Sequence, residues 1–309
     1  MNTENEKKLS GGRNDAQVAR IRKVTLVGLG FNVLLTVLKA IGGVVFRSQA
    51  LLADAGHSLS DLVTDLAVIF GVKYWSAPPD ESHPYGHGRI ETLVSAFIGL
   101  ALVVVAIGLT GDAIATLRGG TEQRPEIPAF LIALISIVSK EWLFRWTRAE
   151  AQKMNSKAME ANAWHHRSDA FSSIPAAIAI ALASFFPSLK FVDPLGAIVV
   201  SFFILHAAWK IVKPTLFELS DASMIGKEQE IRSVASAVPG VESVHAVRSR
   251  LVGTSVLTDL HVMVDPEMSV REGHALSHRV RRAIQEAMPE VKDVVVHLEP
   301  YNGPVHEKI

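Results

Sequence analysis

Two pairs of residues combine an imidazole with a carboxylate four positions later: His57 with Asp61, and His165 with Asp169. Each pair lies in an otherwise apolar stretch that is long enough to cross a membrane. On an α-helix, residues four apart share one face, with Cβ atoms roughly 5–6 Å apart. Ionisable groups inside a bilayer are costly and usually mark an ion pathway, and this ligand set suits tetrahedral Zn²⁺. The two pairs therefore predict an intramembrane site for a divalent metal.

A structural role is the alternative interpretation, in which each pair is a buried hydrogen-bonded unit that ties helices together. The repetition of the same residue order and spacing favours the metal site. Asp54, Asp65 and His166 lie on the same stretches but belong to neither His-x-x-x-Asp pair, so they are not included in the predicted site.

A second group of potential ligands, Asp80, His83 and His87, lies between the second and third apolar stretches. Its two histidines are again four residues apart, and Pro84 with the neighbouring glycines favours a turn that gathers the side chains. The alternative is an ordinary polar loop that carries histidines by chance.

The last part of the chain carries a third group of ligand types. Strand periodicity places two of them, His297 and Glu299, on one face of a predicted final strand. Their number suggests a metal site outside the membrane, although a solvated sheet face with ordinary surface histidines is the alternative. The full group is His245, His261, His274, His297 and Glu299.

Composition limits the class of protein. The chain has 309 residues, of which 49% are apolar and 20% charged, which is too hydrophobic for an ordinary soluble enzyme of this length. Its formal net charge is zero, so charge gives no support for a nucleic-acid partner. Cysteine is absent, which excludes thiolate ligands and favours Zn²⁺ and similar ions over Cu(I).

Six apolar stretches could each cross about 30 Å of hydrocarbon, which takes about 20 residues. Within the fifth, Pro175 is expected to kink the helix. The amino-terminal segment and the loop between the fourth and fifth stretches are rich in lysine and arginine, so the positive-inside rule places both chain termini in the cytoplasm. The stretches are 24–46, 50–75, 90–117, 127–148, 158–186 and 191–216.

The chain is expected to divide into a disordered cytoplasmic tail (1–23), a transmembrane domain of six helices (24–219) and a soluble domain (220–309). The soluble part predicts the order helix, strand, strand, helix, strand. Its first helix covers 231–238, an antiparallel hairpin covers 241–265, a second helix begins at the Ser269–Glu272 capping box, and a strand follows at 291–299. That order predicts a small α+β domain with helices on one sheet face.

Three segments resemble the cation diffusion facilitator family of metal-ion/proton antiporters: LLADAGHSLSD (51–61), HPYGHGRIE (83–91) and WHHRSD (164–169). The resemblance extends over about 24–300. It implies a membrane all-α bundle of six helices followed by a cytoplasmic, metallochaperone-like α+β domain with the ferredoxin-like order αββαβ. It also implies a homodimer that exports divalent cations from the cytoplasm across the plasma (inner) membrane by alternating access, driven by the proton gradient.

The resemblance assigns a role to each group of ligands. His57, Asp61, His165 and Asp169 match the family's transport site, and Asp80, His83 and His87 match its loop site. Arg89 and Asp221 match a charge interlock between the membrane and soluble parts. The remaining group matches a binuclear site at the dimer interface of the soluble domains: His245, His261, His274, His297 and Glu299.

We therefore expect a secondary active transporter rather than an enzyme, with Zn²⁺ as the transported and regulatory ion. Cd²⁺, Fe²⁺, Co²⁺ and Mn²⁺ remain open, because affinity order and cellular supply both intervene. The expected partners are divalent metal ions, protons, the lipid bilayer and a second copy of the chain, with no nucleic acid.

Two rival functions are an intramembrane zinc hydrolase and a metal sensor that transports nothing. The chain has no His-Glu-x-x-His motif, and four protein ligands leave no coordination position for an activated water. A sensor would need signalling elements beyond the soluble domain, and the sequence shows none.

Overall fold

The computed structural model describes residues 3–120, 124–154, 156–223, 226–301 and 303. Side chains are described from Arg20 onward within these ranges, except at positions 68 and 158.

Among the residues that the structure describes, six helical segments are long and apolar enough to cross a membrane, and they confirm the six predicted spans. Between 28% and 50% of the most apolar window of each segment is buried, so large apolar side chains such as Leu34, Phe97 and Phe202 remain on the outside. Such surface fits contact with lipid rather than water. The six segments contain seven helices, because α5 and α6 together form the fifth segment. The helices are α1 (Thr3–Val45, spanning from Arg20), α2 (Gln49–Trp75), α3 (Gly88–Gly119), α4 (Ile127–Met154), α5 (Lys157–Ser172), α6 (Ile174–Phe185) and α7 (Val192–Leu219).

Several helices extend beyond the apolar stretches that predict them. Helix α1 begins at Thr3, before the apolar stretch that begins at residue 24, and α4 continues past residue 148 to Met154. Once a helix exists, each added residue gains a hydrogen bond without a new nucleation cost, so polar turns can continue an apolar helix.

The fifth span is broken, as the position of Pro175 predicts. Helix α5 ends at Ser172, α6 begins at Ile174, and Ser173 lies between them. Proline has no N–H to donate and is tolerated in the first turn of a helix, which is the place Pro175 takes in α6. The span therefore consists of two helices that meet at Ser173.

Small side chains dominate the interior of the helical part. Alanines and a few branched residues from α2, α3, α4, α6 and α7 form one buried cluster. Small residues allow helix backbones to approach closely, which is how helices associate where lipid supplies no hydrophobic driving force. The cluster includes Ala50, Leu51, Ala53, Ala113, Ala129, Ala133, Ala176, Ala179, Ile180, Ala197 and Val200.

In the carboxyl-terminal part, the described residues (226–301) form a three-stranded sheet and two helices, in the predicted order. The elements are α8 (Lys227–Ser236), β1 (Ser243–Val252), β2 (Ser255–Val264), α9 (Val270–Ala287) and β3 (Val291–Pro300). The sheet order is β1-β2-β3, with β1 antiparallel and β3 parallel to β2. The predicted hairpin, last strand and α+β class are therefore confirmed.

One apolar stripe of α9 packs on the sheet. Leu276, Val280 and Ile284 are fully buried, and they belong to a core with Leu260 and Val262 of β2. The helix begins with the predicted capping box, in which Ser269 and Glu272 hydrogen bond reciprocally to each other's backbone N–H. The opposite sheet face carries polar side chains, among them Asp259, His261, His297 and Glu299, beside apolar ones such as Val295.

The chain packs into two compact units, each made of two segments. The first unit contains Met1–Leu66 and Ile98–Lys210, and the second unit contains Ala67–Phe97 and Ile211–Ile309. The domain limits predicted at residues 23 and 219 stay predictions.

Candidate metal sites

The predicted intramembrane site draws its ligands from two helices of the first unit. Helix α2 carries His57 and Asp61, and α5 carries His165 and Asp169. Asp61 interacts electrostatically with the other three, so the fold brings the two pairs into one region. Nδ1 of His165 lies 3.7 Å from Oδ1 of Asp169. Among the described residues, however, no three of the four place ligand atoms within 4.8 Å of one another.

A lysine lies against this region. Nζ of Lys140, on α4, donates a hydrogen bond to Oδ2 of Asp169 at 2.7 Å. The two side chains are only 3% and 9% exposed. One oxygen of the Asp169 carboxylate therefore contacts an ammonium while the other faces His165.

The loop group is assembled around the Asp80 carboxylate in the second unit. Oδ1 accepts hydrogen bonds from the hydroxyl and N–H of Ser82 and from the N–H of His83, at 2.7–2.9 Å. Oδ2 lies 3.2 Å from Nε2 of His87, and the rings of His83 and His87 are 4.4 Å apart. The ligand atoms of Asp80, His83 and His87 lie within 4.8 Å of one another.

Hydrogen bonding sets the charge of Asp80. The Ser82 hydroxyl and then the backbone N–H of His83 hold the pKa of the Asp80 carboxyl below its ordinary value, because both stabilise the ionised form. An ionised carboxylate beside two imidazoles is a ligand set that suits borderline divalent metals such as Zn²⁺.

The third group lies in the carboxyl-terminal α+β domain, which is called the tail from this point on. The register of its sheet aligns three histidines across the strands. His245 of β1 is paired with His261 of β2, which in turn is paired with His297 of β3. Side chains of directly paired residues lie on the same sheet face, so the three rings form a row with centroids 5.2 and 4.7 Å apart. The register of β1 shifts immediately after His245, at Ala246, whose φ is 47°. Such a bulge changes the direction of neighbouring side chains.

Glu299 joins this row two residues after His297. Its carboxylate oxygens lie 2.9 Å from Nδ1 of His261, 3.2 Å from Nε2 of His245 and 3.5 Å from Nε2 of His297. The ligand atoms of His245, His261 and Glu299 lie within 4.8 Å of one another. The arrangement offers up to three imidazoles and a carboxylate to one or two metal ions.

Both parts of the chain match models of known protein families. A family model described as "Cation efflux transmembrane domain" matches residues 25–220. A second, "Cation efflux protein, cytoplasmic domain", matches residues 226–301. This chain belongs to the cation diffusion facilitator family. As a family member it is a metal cation efflux transporter that crosses the membrane several times, which confirms the predicted family.

Two relatives illustrate the range of the family. Metal tolerance protein C1 of Arabidopsis thaliana is 35% identical over 90% of this chain, which spans 62% of that protein. The manganese efflux system protein MneP of Bacillus subtilis is 31% identical over 91% of this chain and 96% of its own length. Among solved structures, a C-terminal domain of MamM in a nickel form is 28% identical over 26% of this chain and all of that domain, with a TM-score of 0.25.

His274 does not lie with the other predicted ligands of the facilitator's tail. It lies on α9, where its Nε2 is 3.2 Å from Nε2 of His278, and it is not in the group formed by His245, His261 and Glu299. The strand residues are brought together by sheet pairing, whereas His274 belongs to the helix. Within one chain the predicted five-residue group is therefore divided.

Arg89 and Asp221 form the predicted ion pair, within the second unit. Arg89 also donates to the backbone carbonyl of Glu218 at 2.7 Å. The Glu218 carboxylate accepts from the N–H of Gly253 at 2.6 Å and from the hydroxyl of Thr92 at 2.5 Å. Arg89 holds the pKa of the Asp221 carboxyl below its ordinary value, chiefly through their hydrogen bond. The start of α3, the end of α7 and the β1–β2 turn are thus tied together.

Two buried lysines, Lys140 and Lys39, were not predicted from the sequence. Lys39 of α1 lies 2.8 Å from Oδ2 of Asp54, and it donates to the hydroxyls of Ser58 and Ser173 at 3.1 and 3.2 Å. The Ser173 hydroxyl donates to Oδ1 of Asp54 at 2.7 Å. The available signal was a lone lysine in the middle of an apolar span, because an ionisable residue there is by default a candidate for function or pairing.

Proposed function

We propose that this facilitator exports Zn²⁺ in exchange for protons, through a site formed by His57, Asp61, His165 and Asp169. The observation that carries the proposal is the convergence of the two His-x-x-x-Asp pairs around Asp61, although they are about a hundred residues apart in the chain. Neutral imidazoles and ionised carboxylates are ligands that hold Zn²⁺ in four-coordinate sites. The gap between the ligand atoms closes when the metal binds.

Proton coupling follows from the chemistry of the ligands. An imidazole must lose its proton and a carboxylate must be ionised before either can bind a metal. Protons and metal therefore compete for the same four side chains. Protonation from the far side of the membrane then releases the metal there, and the returning site carries protons inward.

Mn²⁺ is the second candidate for the transported ion. MneP and MneS of Bacillus subtilis, 31% and 30% identical to this chain, are named manganese efflux system proteins. The two imidazoles of the proposed site favour Zn²⁺, because Mn²⁺ is better suited by carboxylate, carbonyl and water oxygens.

The loop and tail groups are proposed to be regulatory metal sites. The tail group presents partly exposed imidazoles, with the His297 side chain 61% exposed, so further coordination positions are open. We propose that a second copy of the chain supplies His274 to complete this site in a homodimer. Metal would then stabilise the dimer and bias the transport cycle. The proposed location is the cell membrane, with both termini in the cytoplasm.

The test is metal flux into liposomes that contain the purified full-length protein, with Zn²⁺ and Mn²⁺ in competition. We expect Zn²⁺ flux to increase when an opposing pH gradient is imposed. His57→Ala and Asp169→Ala should abolish flux, whereas His206→Ala, at an exposed position of α7, should leave it unchanged. Equal flux with and without the gradient would contradict antiport, and a preference for Mn²⁺ would contradict the choice of metal.

The same assay separates the rival functions. A zinc hydrolase or a metal sensor would bind metal but move none across the vesicle membrane. Flux that depends on His57 and Asp169 therefore excludes both as the main activity.

A further inference from the structure

Lys140 is a buried cation at the edge of the proposed transport site. Its ammonium is 2.7 Å from the Asp169 carboxylate, and both side chains lie inside the helix packing. It also interacts electrostatically with Asp61. A positive charge buried at this position acts on the same carboxylates that a metal ion would use.

The two buried lysines differ in how completely they are held. An ammonium has three hydrogens to donate. Lys39 donates to the hydroxyls of Ser58 and Ser173 and forms an ion pair with Asp54, all within 3.2 Å. For Lys140, the described part of the chain provides a hydrogen bond to Asp169 and no second acceptor at that distance. Lys39 is therefore fixed in place, whereas a single contact holds Lys140.

Two vacant acceptors lie near Lys140. Ser136 is one turn earlier on α4, and helical side chains tilt toward the amino terminus, so the lysine side chain extends toward it. The Ser136 hydroxyl and both ring nitrogens of His166 are buried, without hydrogen-bond partners among the described residues. His166 interacts electrostatically with Lys140. Buried polar groups without hydrogen-bond partners are energetically costly, and an ammonium that moved toward them would donate the missing hydrogen bonds.

We propose that Lys140 is a built-in competitor of the transported metal. In the metal-free protein its ammonium neutralises Asp169. When a dication enters, repulsion between the two positive charges drives the ammonium from Asp169 toward Ser136 and His166. Its tendency to return weakens metal binding and promotes release. The inference rests on the proposed transport site and concerns the position of the Lys140 ammonium group.

The test measures equilibrium metal binding at one fixed pH, on full-length protein in detergent. His83→Ala and His261→Ala form the background, so that the loop and tail groups do not contribute. Lys140→Met should tighten Zn²⁺ binding about tenfold or more, as expected for removal of a close charge interaction. Lys140→Gln should tighten it as well, and Lys140→Arg, which keeps the charge, should not. A merely structural lysine would weaken binding when removed.

Lys39→Met is the matched control, because it removes the other buried lysine and its ion pair. It should lower thermal stability without tightening metal binding. Equal or weaker Zn²⁺ affinity in folded Lys140→Met or Lys140→Gln would overturn the inference. Tightening of the same size in Lys39→Met would also overturn it, because the effect would then be non-specific.

A measurement on the unsubstituted chain guards against variants that fail to fold. The side-chain ¹⁵N resonance of Lys140, assigned in lysine-labelled protein, should shift on addition of Zn²⁺. A resonance that does not change at saturating metal would overturn the inference.

Asp169→Asn in the His83→Ala, His261→Ala background distinguishes a failure of the proposed transport site from a failure of the proposed role of Lys140. If it binds Zn²⁺ as tightly as the parent, the transport site itself is wrong, whereas loss of binding without tightening in Lys140→Met refutes only the role of Lys140.

Discussion

Oε1 of Glu299 lies 2.9 Å from Nδ1 of His261, on the neighbouring strand of the tail sheet. The second carboxylate oxygen lies 3.2 Å from Nε2 of His245. One carboxylate thus contacts imidazoles from two other strands, and it orients the rings that would hold a metal. Orientation of ligating histidines by a carboxylate is a recurrent feature of metal sites.

Glu299→Gln should weaken Zn²⁺ binding at the tail. The amide keeps the size of the side chain but loses the negative charge that a dication requires. Loss of an orienting or ligating carboxylate costs about 10–100-fold in metal affinity. Calorimetric titration of the full-length protein checks this, with Glu286→Gln, at an exposed position of α9, as the control. Equal affinity in both variants would show that Glu299 takes no part in binding.

Metal binding at the loop should depend on pH through its histidines rather than through Asp80. Because the pKa of Asp80 is lowered, its carboxylate is already ionised at pH values above the ordinary aspartate range. Above that range metal binding therefore releases no proton from Asp80, and any proton that the metal displaces comes from the imidazoles. Titrations of the His261→Ala, Asp169→Asn variant at several pH values should show at most two protons released per metal at this site, one for each imidazole.

Ser82→Ala tests the cause of that behaviour. Loss of the hydroxyl hydrogen bond should raise the pKa of Asp80 toward its ordinary value, so loop binding should weaken at about pH 4 but not at pH 7. A lowered carboxyl pKa stabilises the folded protein at pH values above the unfolded-state pKa. That stabilisation is lost as the pH falls through the folded-state pKa. Weakening of the same size at both pH values would contradict it.

The Lys39–Asp54 pair should be necessary as a pair and replaceable as a whole. Both side chains are almost completely buried, so Lys39→Met alone leaves an unpaired carboxylate and should cost about 3–5 kcal/mol. Lys39→Met with Asp54→Leu should recover most of that loss. Thermal unfolding in detergent measures both variants. A double variant that is less stable than Lys39→Met would show that the serine contacts matter more than the charges.

Leu276→Ala should destabilise the tail by about 2–5 kcal/mol, because it leaves a cavity where α9 meets the sheet. Val270→Ala is the matched control, since Val270 lies on the same helix with 91% of its surface exposed. Limited proteolysis of the full-length protein reports local unfolding of the tail. Equal protection in the two variants would contradict the packing of α9 on the sheet.

Local patterns predicted much of the fold. The six spans follow from the length and hydropathy of the apolar stretches, and the break at Ser173 follows from Pro175. The capping box of Ser269 and Glu272 marked the start of α9 correctly. Each of these features depends on residues within one or two turns of each other, so the sequence contains the information directly. The end of α4 was missed because its last turns are polar.

The predicted metal-ligand groups also differ in how far the sequence alone could define them. Asp80, His83 and His87 are close in the chain, and the turn that gathers them is readable in the sequence. Strand periodicity also placed His297 and Glu299 on one face correctly. It could not show that His261 lies between His245 and His297, because that follows from strand order and register. Nor could it separate His274 from the strand residues.

The sequence by itself determined which segments are long and apolar enough to cross a membrane, which side chains are of metal-ligand type and which family the chain belongs to, because these depend on composition and on spacing along single helices and strands. Only the tertiary structure decided that Lys140 contacts Asp169 and that Lys39 contacts Asp54, Ser58 and Ser173. Those contacts join different helices, and their distances are set by how small residues allow the helices to pack.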